Sequence, residues 1–118
     1  MTKERLYLFD TTLRDGAQTT GIEFSLEDKI AIARLLDGLG IDYVEGGYPG
    51  ANVVDTAFFS EKRTENADFV AFGMTKRAGR SVENDPGIAD LVGSSADAVC
   101  YVSKAWDHQV KLALGIST

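Results

Sequence analysis

Four short apolar runs alternate with four stretches of helical periodicity, and this alternation constrains the fold more than any other feature of the chain. The runs are Arg5–Asp10, Asp42–Gly46, Asp68–Gly73 and Ala98–Ser103, each rich in Val, Tyr, Phe or Leu. Such continuous runs suit strands buried on both faces of a parallel sheet. After the first run, Ser25-Leu-Glu-Asp28 predicts a capping box that opens a helix. Leu26, Ile30, Ala33, Leu36 and Leu39 then recur at helical spacing, with Gly38 or Gly40 as the stop. Val53 through Arg63 predicts a second helix, with Val54, Ala57 and Phe58 on its inner face. Asp85-Pro86 reads as an N-cap followed by proline at the first helical position, leading to Ile88, Leu91 and Val92. A fourth helix begins near Asp107 and carries Val110, Leu112, Ala113 and Leu114.

The order is therefore βα repeated four times, with no domain linker and no low-complexity tract. It implies an α/β fold with a parallel sheet and right-handed crossovers. Two architectures fit: a small doubly wound sheet, and the N-terminal half of a (β/α)8 barrel. A whole barrel needs about 250 residues, whereas this chain has 118. On the barrel reading, residues 1–118 are a partial domain of four βα units.

Polar residues gather where each run ends: Asp10, Arg14 and Asp15, then Glu45, then Thr75, Lys76 and Arg77, then Ser103 and Lys104. In parallel strands these ends share one rim, where ligands bind in α/β folds. A rim of mixed charge suits a small anionic substrate together with a metal; charged loops are also ordinary surface.

The densest cluster is Asp10-Thr-Thr-Leu-Arg-Asp-Gly-Ala-Gln18, directly after Leu6-Tyr7-Leu8-Phe9, which reads as a buried strand. Asp15 is a hard oxygen ligand suited to Mg²⁺ or Mn²⁺. Arg14 offers a fixed fork of donors for a carboxylate or a polarised carbonyl. Gln18 supplies both a donor and an acceptor, and Gly16 permits a sharp turn. Arg14 and Asp15 also fit an ordinary turn with a surface ion pair. Glu45, after core-like Tyr43-Val44, is placed to pair with Arg14; the other reading is the edge of a solvated loop. The Gly46-Gly-Tyr-Pro-Gly50 loop lacks the dinucleotide and phosphate-loop signatures and reads as a tight turn. Cys100 reads as a buried, inert thiol, Trp106 as packing at a strand-to-helix turn, and His108 as a solvated or capping side chain.

Composition excludes several classes. A net charge of −6, from 12 basic and 18 acidic residues, argues against nucleic acid or an anionic membrane as partner. The single cysteine excludes an internal disulfide and fits a reducing cytoplasm. Met-Thr-Lys-Glu-Arg is not a signal peptide, and no apolar run approaches the roughly 20 residues of a membrane span.

The 10–18 cluster resembles the opening signature of the acyl-CoA-dependent aldol-type synthases and lyases. This family includes isopropylmalate, homocitrate and citramalate synthases and hydroxymethylglutaryl-CoA lyase. The resemblance runs from Leu6 to Thr118 and is closest to the citramalate synthase branch. It is carried by Gly40-Ile-Asp-Tyr-Val-Glu-Gly-Gly-Tyr-Pro-Gly-Ala-Asn52, Asp55-Thr-Ala-Phe-Phe59, Ala71-Phe-Gly-Met-Thr75 and Lys104-Ala-Trp-Asp107. Isopropylmalate synthases tend to read Glu-Val-Gly-Phe-Pro where this chain has Glu45-Gly-Gly-Tyr-Pro49.

The resemblance implies a (β/α)8 barrel that condenses acetyl-CoA with pyruvate to give (R)-citramalate and CoA, an entry to isoleucine synthesis. It implies Asp15 as a ligand of a divalent metal, Mg²⁺ or Mn²⁺ with Zn²⁺ as an alternative. Arg14 would stabilise charge on the keto oxygen, Gln18 would face the same pocket, and Glu45 would set the position of Arg14. A cytoplasmic homodimer is implied for the full-length enzyme. The family's further metal ligands, a His-x-His pair on a later strand, are not in this chain, whose one histidine is His108. Later strands and a C-terminal regulatory domain are absent too. The expectation is a fragment, inactive alone and prone to self-association through open sheet edges. The competing expectations are a synthase for 2-ketoisovalerate or 2-ketoglutarate, and a flavodoxin-like binding module without enzymatic activity.

Overall fold

The computed structural model describes residues 2–117. Its centre is one four-stranded parallel sheet of β1 (Phe9–Asp10), β2 (Tyr43–Gly47), β3 (Asp68–Met74) and β4 (Ala98–Val102), in the order β1-β2-β3-β4. Helices α1 (Leu26–Gly38), α2 (Val53–Phe58), α3 (Pro86–Val92) and α4 (Asp107–Gln109) follow the strands in turn. A strand order that never reverses is the order of a (β/α)8 barrel. A doubly wound sheet needs a reversal point, as in the flavodoxin order 2-1-3, so the flavodoxin-like alternative falls.

Helix starts follow their local signals. Ser25 Oγ accepts from the Asp28 amide at 3.1 Å, and the Asp28 carboxylate accepts from the Ser25 amide at 2.9 Å. The Asp85 carboxylate caps α3 ahead of Pro86. Residues on alternate positions of the strands face the helices and form the core. Val44, Phe69 and Ala71 pack with Ala33 of α1, Phe58 of α2 and Leu91 of α3. Phe59 stacks on Phe69 at 4.5 Å, and Phe58 meets Phe69 edge-on at 5.3 Å. Burial of each ring contributes about 1.5–3 kcal/mol.

Three elements and one side chain differ from their sequence reading. The first run pairs only at Phe9 and Asp10, and Leu6, Tyr7, Leu8 and Phe9 are exposed rather than buried. Among the described residues β1 pairs with β2 alone, which leaves the side chains before Phe9 exposed. The second helix ends at Phe58, not Arg63. Arg63 instead turns back and donates to the carbonyls of Phe58 (2.9 Å) and Ala57 (3.1 Å), closing the helix C-terminus with a cation. The fourth helix is one turn that widens into a π-helical turn over Val110–Leu114. Trp106 is exposed and lies against His108, so it does not pack at the strand end.

Aspartates pin strand starts. Asp37, at the end of α1, accepts the amides of Glu65, Asn66 and Ala67 at 2.7–2.9 Å and so fixes the approach to β3. Asp42 accepts the Leu8 amide at 2.8 Å, and Asp97 accepts the Phe69 amide at 2.8 Å. No helix among the described residues is long and apolar enough to cross a membrane.

Candidate active site

Because all four strands run the same way, their C-terminal ends form one rim. Asp10 ends β1, and its carboxylate is engaged by the amide and hydroxyl of Thr12 (2.9 and 3.1 Å). The chain then turns tightly, with Asp15 and Gly16 amides bonded back to the Thr11 carbonyl. Leu13 drops into the core at 0% exposure, which holds the turn and sends Arg14 over the sheet.

Arg14 is fixed on three sides. Its Nε donates to Glu45 Oε2 at 3.1 Å, and Nη1 lies 3.4 Å from Asp15 Oδ1. Its guanidinium carbon sits 4.3 Å from the centroid of the Phe72 ring, a cation–π contact that flattens the fork against β3. Glu45, on β2, is 1% exposed, and its Oε1 has no hydrogen-bond partner among the described residues. Cys100 of β4 lies beside it. Burial first, then the charge of Glu45, pushes the Cys100 thiol above its ordinary pKa, against a smaller opposing pull from Arg14. The thiol is half-buried rather than sealed.

Asp15 and Gln18 stand on the open side of the turn. Both are exposed, and the Gln18 amide closes the 3-10 turn onto the Asp15 carbonyl at 3.0 Å. A cleft of about 440 Å³ opens here, bounded by Arg14, Gln18, Tyr48 and Phe72 and, opposite, by Asn52 and Val53. A second cleft of about 700 Å³ lies beyond Tyr48, among Thr75, Lys76, Arg77, Ser103 and Lys104. The rim residues of the third and fourth strands thus face a neighbouring hollow rather than Arg14 itself.

The donor chemistry fits one ligand position for a hard divalent cation. Asp15 offers an exposed carboxylate, Asp10 is engaged with Thr12, and no group of three or more His, Cys, Asp or Glu side chains converges among the described residues. His108 is exposed and lies at a tilt against Trp106, with 4.9 Å between ring centroids.

Three residues here carry no site role in the sequence reading, although two of them, Asp55 and Phe72, lie in segments that carry the resemblance. Phe72 became visible only once β3 was in register beside β2. Lys29 and Asp55 form a buried ion pair behind the Gly46–Tyr48 loop, with Lys29 Nζ also donating to the Gly46 carbonyl at 2.8 Å. A lysine on the apolar stripe of α1, between Leu26, Ile30 and Ala33, is the signal that could have found it.

The sequence of this chain matches known proteins along nearly its whole length. It is 47% identical over 115 residues to an (R)-citramalate synthase of Streptomyces coelicolor, covering 94% of this chain and 22% of that protein. It is 46% identical over 114 residues to an (R)-citramalate synthase of Aquifex aeolicus, again covering 94% and 22%. Against a 2-isopropylmalate synthase of a Bradyrhizobium species it is 41% identical over 83 residues, covering 69% of this chain and 16% of that protein. The chain therefore spans about a fifth of the length of the curated relatives it matches. The HMGL-like family model matches residues 5–113, and with that match the four consecutive βα units and their charged rim have an ancestry: the chain belongs to the HMGL-like family.

Proposed function

We propose that residues 1–118 are the opening part of the catalytic barrel of an (R)-citramalate synthase. The reaction is the condensation of acetyl-CoA with pyruvate and water to give (R)-citramalate and CoA. The observation that carries this reading is the Arg14–Glu45 pair at the rim, in a chain 42–47% identical to five (R)-citramalate synthases.

The acetyl methyl gives a proton to a base from outside the residues named here. Its carbon then bonds to the keto carbon while the keto oxygen takes the carbonyl electron pair and a proton, and water cleaves the thioester to release CoA. Arg14 is suited to meet the keto oxygen. Glu45 occupies its Nε, Asp15 lies 3.4 Å from Nη1, Phe72 packs against the guanidinium, and the side chain lines the cleft. A donor already oriented toward developing charge lowers the barrier without reorganising during the reaction. Glu45 orients Arg14 and keeps its charge compensated. Gln18 lines the same cleft, where its side-chain N–H would donate to the keto acid's carboxylate. Asp15 would hold a divalent metal, Mg²⁺, Mn²⁺ or Zn²⁺, completed by ligands from outside these residues. Such an ion supplies Lewis-acid polarisation of the keto acid. The same reading carries a cytoplasmic enzyme that works as a homodimer at full length.

A 2-isopropylmalate synthase is the second reading, favoured by matches at 38–41% identity. The test is CoA release by the full-length enzyme across pyruvate, 2-ketoisovalerate and 2-ketoglutarate. Pyruvate as the preferred acceptor supports the proposal; preference for 2-ketoisovalerate replaces it with the second reading.

A further inference from the structure

The rim cluster leaves one costly feature unexplained: Lys29 and Asp55 are 2% and 8% exposed, and they bury opposite charges on the helix side of the sheet. A buried ion pair is a weak source of stability, because desolvation offsets most of the attraction. Its partners here show another use. β2 and β3 slip register between Glu45 and Gly47: Glu45 faces Val70, Gly47 faces the very next residue, Ala71, and Gly46 is the extra residue of a β-bulge. Bulges bend a strand and re-aim the side chains beside them. The carbonyl of this extra residue accepts from Lys29 Nζ at 2.8 Å. Asp55 accepts from Lys29 through Oδ1 and from the Tyr48 amide through Oδ2, the latter at 2.8 Å. Between these two anchors the Asp55 carboxylate presses on Gly47, where a Cβ would meet it at 2.6 Å and where φ is +147°. Three consecutive residues of the bulge are thus gripped from behind by one ion pair.

The residues on either side of the grip are the supports of Arg14. Glu45, immediately before it, accepts from Arg14 Nε. Tyr48, at its end, meets Phe72 edge-on at 5.4 Å, and Phe72 underlies the guanidinium. We infer that Lys29 and Asp55 are positioning residues for Arg14, holding the Gly46 bulge so that Glu45 and Tyr48 present their supports in register. Both residues also contribute to the wall of the cleft that Arg14 borders, but their side-chain hydrogen bonds go to each other, to the Gly46 carbonyl and to the Tyr48 amide rather than to Arg14. The inference deepens that reading and rests on it for whatever is measured through turnover.

The test uses the full-length enzyme with Lys29→Met and with the double variant Lys29→Met/Asp55→Asn, which leaves no unpaired buried charge. Hydrogen exchange is followed in the peptides covering 44–49 and 68–74, and kcat is followed alone and in an Arg14→Lys background. Exchange in 44–49 is expected to rise by about tenfold while 68–74 keeps its protection, marking a local rather than a global loosening. In parallel, kcat falls by about 10- to 100-fold, the scale of a misplaced group. In the Arg14→Lys background the further loss shrinks to less than about threefold, because residues that act through one another are not additive. Equal loosening of both peptides, unchanged exchange, or losses that multiply across the two backgrounds would overturn the inference and leave the pair a structural strut. An unmodified enzyme that releases no CoA with any 2-keto acid would sink the synthase reading instead, and the exchange pattern would still decide whether the pair grips the bulge.

Discussion

Arg14 Nε donates across 3.1 Å to Glu45 Oε2, a carboxylate only 1% exposed whose second oxygen has no partner among the described residues. A stability-driven design would not leave a buried carboxylate half satisfied. The pair is better understood as orientation: Glu45 fixes one edge of the guanidinium and leaves the other for a ligand.

Glu45→Gln keeps the shape and removes the charge. Unfolding stability is expected to stay within about 1 kcal/mol of the parent, since the desolvation of the carboxylate disappears with its ion pair. Activity of the full-length enzyme is expected to fall by about 10- to 100-fold, as when a supporting residue behind a reacting group is lost. Chemical denaturation and steady-state kinetics on the same sample check both halves. Parental kcat in the variant would remove Glu45 from the site.

Gly46 lies beneath three rings. A Cβ there would meet Phe58 Cε1 and Phe69 Cε1 at 2.7 Å and Phe59 Cζ at 3.0 Å. Gly46→Val is therefore expected to destabilise the chain by about 1–3 kcal/mol through overpacking. Adding Phe59→Leu should recover part of that loss in thermal melting. Because the clash lies on the helix side of the sheet, acceptor preference should not shift toward a larger keto acid. A shift would show that position 46 selects substrate directly.

Acid sensitivity follows from the aspartates that pin strand starts. Burial, the largest single influence on Asp37, raises its pKa. The amides of Ala67, Glu65 and Asn66, with Lys62, together outweigh it and leave the pKa below the usual carboxylate range. Asp42 is pulled down first by the amide of Leu8, and Asp85, which caps α3 rather than a strand, first by the amide of Arg77. A folded pKa below the unfolded one adds stability above the unfolded value, about 3.9 for aspartate, and that stability is lost as pH falls through the folded pKa. Urea unfolding between pH 7 and 2 should show a plateau and then a decline below about pH 4. Asp37→Asn should lower the plateau and flatten the decline; an unchanged slope would contradict the assignment.

Cys100 reports on Glu45. Burial, then the neighbouring carboxylate, holds its thiol above the ordinary pKa, so little thiolate exists near neutrality. Alkylation by iodoacetamide at pH 8 is expected to be slower than for an unstructured cysteine. Glu45→Gln should speed it by removing the negative charge. Equal rates in the parent and the variant would separate the two groups.

What could be read from the sequence was local. The capping box at Ser25, the Asp85-Pro86 helix start and the end of α1 beyond Gly38 depend on neighbours within a few residues, and they lie where the residue types require. The length of β1 depends on whether strands flank it, which Leu6-Tyr7-Leu8 alone does not encode. The end of α2 depends on Arg63 folding back to the Ala57 and Phe58 carbonyls, a choice that residue type leaves open. Around the site, Arg14 and Glu45 stood out because charge beside apolar runs is conspicuous. Phe72 did not, since an aromatic residue in a strand looks like core until the register sets it under a guanidinium. Asp55 lies far along the chain from Lys29, and only the packing of α1 against α2 joins them.

The most direct test of the central claim is CoA release from acetyl-CoA and pyruvate by the full-length enzyme, compared with its Arg14→Ala variant at matched folded fraction. The predicted result is pyruvate-dependent release in the parent, lowered by about 10²- to 10³-fold in the variant, the scale for losing one oriented donor. Turnover in the variant close to that of the parent would contradict the account, because the site built around Arg14 would then not be where the reaction occurs.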